Sequence, residues 1–278
     1  MVSMNAPFSW SHLDQWHIGL GGLSLLLGAS FFYLWGIMKV PSYSRWRIVS
    51  FFAGILVTFL ATQSVLGVFD MTYFSAHMIQ HLLLIMVAAP LFALSGPLDL
   101  IYEAGTPRMK AALDGRIAAV ILHPLVAFLA YFVFIPLSHL TGVFNLMLTH
   151  EWFHHLEQIG FLLVGYLFFR IAFGIERGQQ IHPGLRLVFV MAAVPVDTVT
   201  GLALMMNTHV PYHGLLTMAP MGASVAWVLQ NFHLGGAIMW IGGDALMLLA
   251  CIPITVHWVR WETVRTRAID AELDAMGL

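Results

Sequence analysis

The chain has 278 residues, of which 59% are hydrophobic and only 9% are charged, and its formal net charge is −2. A soluble globular domain carries about 25% charged residues, so this composition excludes that class and predicts an integral membrane protein with the lipid bilayer as its first partner. The sequence has no basic patch for nucleic acid, and its single cysteine, Cys251, excludes an intrachain disulfide or a multi-thiolate metal site.

Seven apolar runs are long enough to cross a membrane as helices of about 20 residues each. Pro and Gly residues in the gaps between the runs mark turns. The predicted fold class is therefore all-α, a polytopic bundle of seven transmembrane helices that forms a single domain over residues 1–278. The expected spans are roughly 16–38, 48–68, 74–94, 117–137, 153–173, 185–206 and 234–258.

Basic residues collect on one side of this predicted bundle, next to the loops that follow spans one, three and five and in the tail after span seven. All twelve do so: Lys39, Arg45, Arg47, Arg108, Lys110, Arg116, Arg170, Arg177, Arg186, Arg260, Arg265 and Arg267. The positive-inside rule places these segments in the cytoplasm, so we expect the N-terminus outside and the C-terminus in the cytoplasm.

Histidines have the opposite distribution, because most of the fourteen fall at or near the outer ends of the spans. The outer ones are His12, His17, His77, His81, His139, His150, His154, His155, His209, His213 and His233. Such a one-sided distribution of imidazole predicts a functional site on the extracytoplasmic side.

Two of the spans begin with metal-capable side chains at helical spacing. His77 and His81 at the start of span three, and His150 and His154 at the start of span five, each lie four residues apart, so each pair would share a helix face. Glu157 lies one turn deeper on the second stripe. Two histidines in this arrangement can bind one metal ion. The alternative is a set of interfacial histidines that hydrogen-bond only to water and backbone.

The segment from His150 to His154 also matches the H-E-x-x-H pattern of zinc proteases, with Glu151 as its acid. That pattern needs a third ligand and a regular helix, and it is a weak signal in a histidine-rich chain. His155 lies on a second stripe beside it, together with Glu151.

Two acidic residues fall deeper in the predicted membrane. Asp197 lies near the middle of span six, and Asp244 lies about ten residues into span seven. Ionisable groups at such depth are costly and usually face the bundle interior. They are either neutral acids that hydrogen-bond between helices, or a cation ligand or proton acceptor below the histidines.

The third span carries a resemblance to a known family. It reads His77-Met78-Ile79-Gln80-His81-Leu82-Leu83-Leu84 and continues to Ala89-Pro90-Leu91 and Ser95-Gly96-Pro97. This stretch resembles the signature of the CtaG family, bacterial membrane proteins linked to assembly of caa-type cytochrome c oxidase. The resemblance continues through His154-His155-Leu156-Glu157 and Gly235-Gly236-Ala237-Ile238-Met239-Trp240 and covers spans three to seven. One departure is Gln158, where many members have a histidine after the matching acid.

The resemblance implies a seven-span protein of the bacterial cell (inner, plasma) membrane that delivers copper during oxidase maturation. Its matching positions are His77, His81, His154 and Glu157. We therefore expect an assembly factor rather than an enzyme, with a copper ion as Cu(I) or Cu(II), and a cytochrome c oxidase subunit or a copper chaperone as partner. The sequence leaves homo-oligomerisation open.

Together, the one-sided histidines and the resemblance lead us to expect an extracytoplasmic copper site above two membrane-embedded acids. The candidate residues are His77, His81, His150, His154, His155, Glu157, Asp197 and Asp244. The alternatives are a membrane redox protein or metalloenzyme with haem b, di-iron or zinc, and a metal transporter that uses the same histidines.

Overall fold

The computed structural model describes Trp16 and residues 18–276, so His12 and His17 lie outside the described residues. Every regular element in this part of the chain is a helix, which confirms the all-α prediction. Six helices are long and apolar enough to cross a membrane, or seven if one bent pair counts as a span. The long helices are α1 (Leu20–Lys39), α2 (Arg45–Phe69), α3 (Phe74–Ala104), α4 (Pro124–Leu140), α5 (Glu151–Phe173), α6 (Pro183–Met205) and α7 (Val225–Met276).

The seventh helix extends well beyond its predicted bounds at both ends, and the fourth helix begins seven residues later than predicted. It begins at Pro124 because His123 caps it, with Leu125 N donating to His123 Nδ1 at 3.1 Å, and because proline is favoured in the first turn of a helix. The residues before it form a separate short helix, Arg116–Ile121. After α4 the chain bends by 65° into the short helix Val143–Thr149, and these two make the bent pair.

Helix α3 lies at the centre of the bundle and packs against α2, α5 and α7, while α6 packs against α4 and α7. Small residues let these backbones approach. A Cβ added at Gly201 in α6 would lie 2.7 Å from the carbonyl oxygen of Gly236 in α7. A Cβ at Gly165 in α5 would lie 2.8 Å from the Cβ of Ala89 in α3. The central helices are therefore held at close contact distance.

Two helices contain a π-helical segment near the middle of the bundle. In α3 it is Leu83–Ala88, which begins two residues after His81, and in α7 it is Ile238–Gly242, which ends two residues before Asp244. The segment in α7 packs against the turn of α3 that precedes the other segment, because a Cβ at Gly242 would meet Leu82 Cδ1 at 2.9 Å. Such widened turns are frequent at functional sites, since they rotate the side chains that follow.

The end of the bundle that carries the basic residues is closed by polar contacts. Arg47 Nη1 lies 2.9 Å from Asp99 Oδ2, and Arg177 N donates to Asp99 Oδ1 at 2.9 Å. Glu176, between α5 and α6, is buried and accepts hydrogen bonds from Leu98 N and the Tyr166 hydroxyl. Burial raises the pKa of the Glu176 carboxyl to about 7. This end is therefore a tightly connected, predominantly structural layer.

Helix α1 lies at the periphery, and only Tyr33 and Gly36 of it are buried. Its apolar side chains, such as Phe31 and Phe32, point outward and are more than half exposed, as expected for a surface that faces lipid. The positions of the helices fit a multi-pass membrane protein. The orientation of the termini across the membrane stays a prediction.

Candidate metal centre

Four buried side chains from three helices meet near the histidine-rich end of the bundle: His77, His81, His139 and Glu157. Each offers one metal-capable atom, and these atoms all lie within 4.8 Å of one another. We call these four residues the His3Glu cluster. The four side chains therefore face one another in the interior, and together they could hold a metal ion.

The two histidines of α3 lie on adjacent turns, as their spacing predicts. Their Nε2 atoms are 2.7 Å apart, and His81 also stacks on Phe161 with ring centroids 4.1 Å apart. A tetrahedral ion with bonds of ~2.0–2.1 Å needs ligand atoms about 3.3 Å apart. The two imidazoles would therefore have to separate slightly to bind one ion together.

Glu157 faces both histidines from α5. Its Oε1 lies 3.3 Å from His81 Nε2 and its Oε2 lies 3.7 Å from His77 Nε2. Glu157 is 2% exposed, and neither carboxylate oxygen has a hydrogen-bond partner among the described residues. An ionised carboxylate in such a place is costly unless a cation compensates it. These oxygens are thus positioned for a metal ion or a protonated imidazole.

His139, near the end of α4, completes the cluster. Its Nδ1 lies 3.0 Å from the carbonyl oxygen of Ile135 and 2.9 Å from Ser138 Oγ. Because a carbonyl oxygen only accepts hydrogen bonds, Nδ1 carries the proton, which leaves the lone pair on Nε2. That Nε2 is buried and has no hydrogen-bond partner among the described residues. A hydrogen bond from one ring nitrogen to backbone commonly orients a histidine whose other nitrogen binds metal.

The sequence places His139 among the outer histidines but gives no spacing that marks it as a ligand. The residue has no histidine four positions away and lies just beyond the predicted end of span four at residue 137. The one feature of the sequence that points to His139 as a ligand is its position near an outer span end, at about the same predicted membrane depth as His77 and His81.

His154 lies beside the His3Glu cluster and outside it. It is 4% exposed, and its ring stacks on that of His77 with centroids 5.5 Å apart. Its Nε2 points to Asp70, in the turn between α2 and α3, and lies 3.5 Å from Asp70 Oδ2. Burial raises the pKa of the Asp70 carboxyl to about 7, although hydrogen bonds from Gln80 and the Met71 backbone lower it. Asp70 was not among the residues selected from the sequence.

The structure does not bring His150 or His155 to the cluster. His150 precedes the first residue of α5 in an extended conformation (φ −136°, ψ 106°), and its Nδ1 lies 2.9 Å from Thr149 Oγ1. It therefore does not share a helical stripe with His154, and the H-E-x-x-H arrangement does not form. His155 is exposed, and its Nε2 lies 3.9 Å from Glu151 Oε1.

Gln158, the departure from the family pattern, takes part in a hydrogen-bonded chain. Its Nε2 donates to Gln80 Oε1 at 3.1 Å, and Gln80 Nε2 donates in turn to Asp70 Oδ2 at 2.6 Å and to the carbonyl oxygen of Ala61 at 3.0 Å. Gln158 thus fixes the orientation of the Gln80 amide and, through it, of the Asp70 carboxylate.

Of the two deeper acids, Asp197 lies next to the cluster. It lines a cavity of about 20 Å³ together with His81, His139, Met78 and Met239. That volume holds about one water molecule. Asp197 Oδ2 accepts a hydrogen bond from the Tyr131 hydroxyl at 2.8 Å.

Asp244 has a different environment. It is half-buried, and its two carboxylate oxygens lie 3.0 and 2.8 Å from Thr198 Oγ1, which donates to them. Asp244 does not line the cavity beside the cluster. Only the first of the two acids is therefore placed to interact with the histidines.

A profile of the family described as cytochrome c oxidase caa3 assembly factor (Caa3_CtaG) matches residues 31–261, which include the whole His3Glu cluster. The chain belongs to the CtaG family. This confirms the resemblance seen in the sequence.

The chain is also similar to uncharacterized proteins of three mycobacteria. The chain is 25% identical over 264 residues to one from Mycobacterium leprae (strain TN), and 25% identical over 259 residues to one each from Mycobacterium bovis and Mycobacterium tuberculosis. Each match covers 87% of this chain but only 38% of the relative, so the chain spans about two fifths of the length of these proteins. No solved structure gives a significant match to the chain.

Proposed function

We propose that this protein is an assembly factor for caa3-type cytochrome c oxidase in the bacterial cell membrane, and that it binds one copper ion at the His3Glu cluster for delivery to the oxidase. The observation that carries the proposal is Glu157, a buried carboxylate with no hydrogen bond among the described residues and with two imidazole nitrogens within 3.7 Å. Membership in an oxidase assembly family supports the function, and the donor atoms support the metal.

Copper fits the donor set and its surroundings. Imidazole suits copper, zinc, iron and nickel, and a site of nitrogen and oxygen donors binds divalent copper more strongly than the other first-row metals. The thioether residues Met78 and Met239 line the adjoining cavity, and thioethers favour Cu(I). Both oxidation states are therefore compatible with the surroundings of the site, and cytochrome c oxidase is itself a copper enzyme.

The arrangement favours a carrier over an enzyme. Four protein side chains would fill a tetrahedral coordination sphere, whereas catalytic metal sites keep a position open for water or substrate. All four residues are buried, which also keeps solvent from the ion. A partner, either an oxidase subunit or a copper chaperone, would exchange the ion at the histidine-rich end of the bundle.

The cluster geometry disfavours the other metal cofactors. A haem does not fit a cavity of about 20 Å³ unless the helices separate. Di-iron carboxylate sites in helical bundles use several glutamates, and this cluster contains a single carboxylate. Zinc fits the same four donors, so it is distinguished from copper by direct measurement of the bound metal.

The function can be tested in a bacterium from which the gene has been deleted. We expect caa3 oxidase purified from the deletion strain to retain haem but lack copper, and the wild-type gene to restore the copper. A gene carrying Glu157→Gln should not restore it, although the protein accumulates in the membrane. Oxidase with a full copper content in the deletion strain would contradict the proposal.

A further inference from the structure

We propose that Asp70 and His154 form a second copper position, through which the ion passes on its way to the His3Glu cluster. This inference rests on the proposed copper function. It assigns a role to a buried carboxylate and a buried imidazole that the cluster itself does not use. The two positions would bind copper in sequence, first weakly and then tightly.

The pair has the separation expected of two ligands to one ion. His154 Nε2 and Asp70 Oδ2 lie 3.5 Å apart, and two ligands of a tetrahedral ion with bonds of ~2.0–2.1 Å lie about 3.3 Å apart. Both residues are 4% exposed. His154 Nε2 has no hydrogen-bond partner among the described residues. It faces the Asp70 carboxylate but makes no hydrogen bond to it.

A continuous series of polar side chains connects this pair to the outer surface. His155 and Glu151 are 59% and 88% exposed in their side chains and lie 3.9 Å apart. His155 Nδ1 lies 3.5 Å from Gln158 Oε1, and Gln158 donates to Gln80, which donates to Asp70. The Glu151 carboxylate, the His155 imidazole and the amide oxygens of Gln158 and Gln80 supply ligand atoms for a cation along this series.

The pair is also adjacent to the final site. The His154 ring stacks on the His77 ring with centroids 5.5 Å apart and an interplanar angle of 25°. His154 and Glu157 lie three residues apart on the same face of α5. An ion bound by Asp70 and His154 would therefore lie next to His77 and Glu157 of the His3Glu cluster.

The difference in ligand number gives the transfer its direction. Two side chains bind an ion more weakly than four, and a conduction path requires positions weak enough for the ion to leave. The buried cluster then provides the tight end of the path. A purely structural Asp70–His154 contact would instead affect stability without affecting the rate of copper loading.

The test measures the rate and the extent of copper uptake by the full-length purified protein, with Cu(I) presented by a coloured chelator. We expect Asp70→Asn and His154→Gln each to slow loading at least tenfold while one tightly bound copper per chain remains at equilibrium. Asp274→Asn, which removes an exposed acid from the end of α7, is the matched control and should load at the wild-type rate.

Two results would overturn the inference. One is a wild-type loading rate in both folded variants, and the other is loss of the equilibrium copper from either, since the residue would then belong to the final site. Gel filtration establishes whether each variant is folded. If Asp70→Asn does not fold, His154→Gln tests the same copper position. Wild-type protein that takes up no copper would contradict the proposed function itself and this inference with it.

Discussion

His81 and Glu157, on helices α3 and α5, face each other across 3.3 Å in the interior of the bundle without a hydrogen bond between them. Nothing else in the described part of the chain satisfies the carboxylate. A contact of this kind favours binding at the expense of stability, because a buried charge is stabilised only when its partner is present. The pair therefore links the stability of the protein to its ligand.

The first prediction concerns Glu157→Gln. Removal of a buried, uncompensated carboxylate should leave the melting temperature of the metal-free protein in detergent unchanged or higher. The same variant should lose the stabilisation that copper gives the wild type, which is about 2.7 kcal/mol at a hundredfold excess of free ion over Kd. Glu272→Gln, at an exposed position, should behave as wild type. A Glu157→Gln variant that is destabilised without copper and stabilised by it as strongly as wild type would contradict the prediction.

The second prediction concerns pH and the opposite end of the bundle. Burial raises the pKa of Glu176 from 4.5 to about 7, and Tyr166, Asp99 and Arg170 are the charged or titratable groups that act on it. At a pH between these two pKa values, Glu176 keeps its proton in the folded protein but has lost it in the unfolded chain. The free energy of unfolding should therefore fall as pH rises from about 5 to about 7, and it should level off above pH 7. One pKa unit corresponds to ~1.4 kcal/mol, which limits the contribution of Glu176 to roughly 3 kcal/mol.

Glu176→Gln should make this fall shallower, because the amide does not titrate; the remaining fall is expected from Asp70, whose pKa is also raised to about 7. The measurement is the apparent melting temperature of purified protein at a series of pH values between 5 and 8. Glu272→Gln serves as the control and should keep the wild-type slope. Equal slopes for Glu176→Gln and wild type would show that Glu176 is not the group responsible.

The third prediction concerns the contact between α6 and α7. Gly201→Val should lower stability by about 1–3 kcal/mol, because its side chain would overlap the Gly236 carbonyl oxygen and Trp240 Cβ, both 2.7 Å from the added Cβ. Gly28→Ala is the matched control, since nothing lies within 4 Å of its added Cβ. Alanine there should be neutral or slightly stabilising. Equal effects of the two substitutions would contradict the close packing of these helices.

The sequence predicts those features of the fold and site that depend on a single segment. The apolar runs predict the helices, and the spacing of His77 and His81 predicts that they meet, because both follow from the geometry of one helix. The choice of Glu157 also agrees with the cluster, since that residue faces the interior one turn below His154.

Other parts of the site depend on tertiary packing or on the exact start of a helix. His139 joins the cluster only because α4 packs beside α5, and no periodicity within its own segment reveals this. His150 does not share a helix face with His154, because α5 begins at Glu151, one residue after His150. The extended conformation of His150 turns its side chain to the surface. Asp70 appears in the sequence as an ordinary turn residue between two spans, and its contact with His154 arises from the fold.

The most direct test of the copper site compares two histidines near the same end of the bundle, of which the sequence selects His150 and the structure selects His139. Copper per chain is measured in purified wild-type protein, His139→Ala and His150→Ala after loading and removal of free ion. We expect one copper in wild type and in His150→Ala, and less than a tenth of that in His139→Ala. Full copper in His139→Ala, or its loss from His150→Ala alone, would contradict the His3Glu cluster as the binding site.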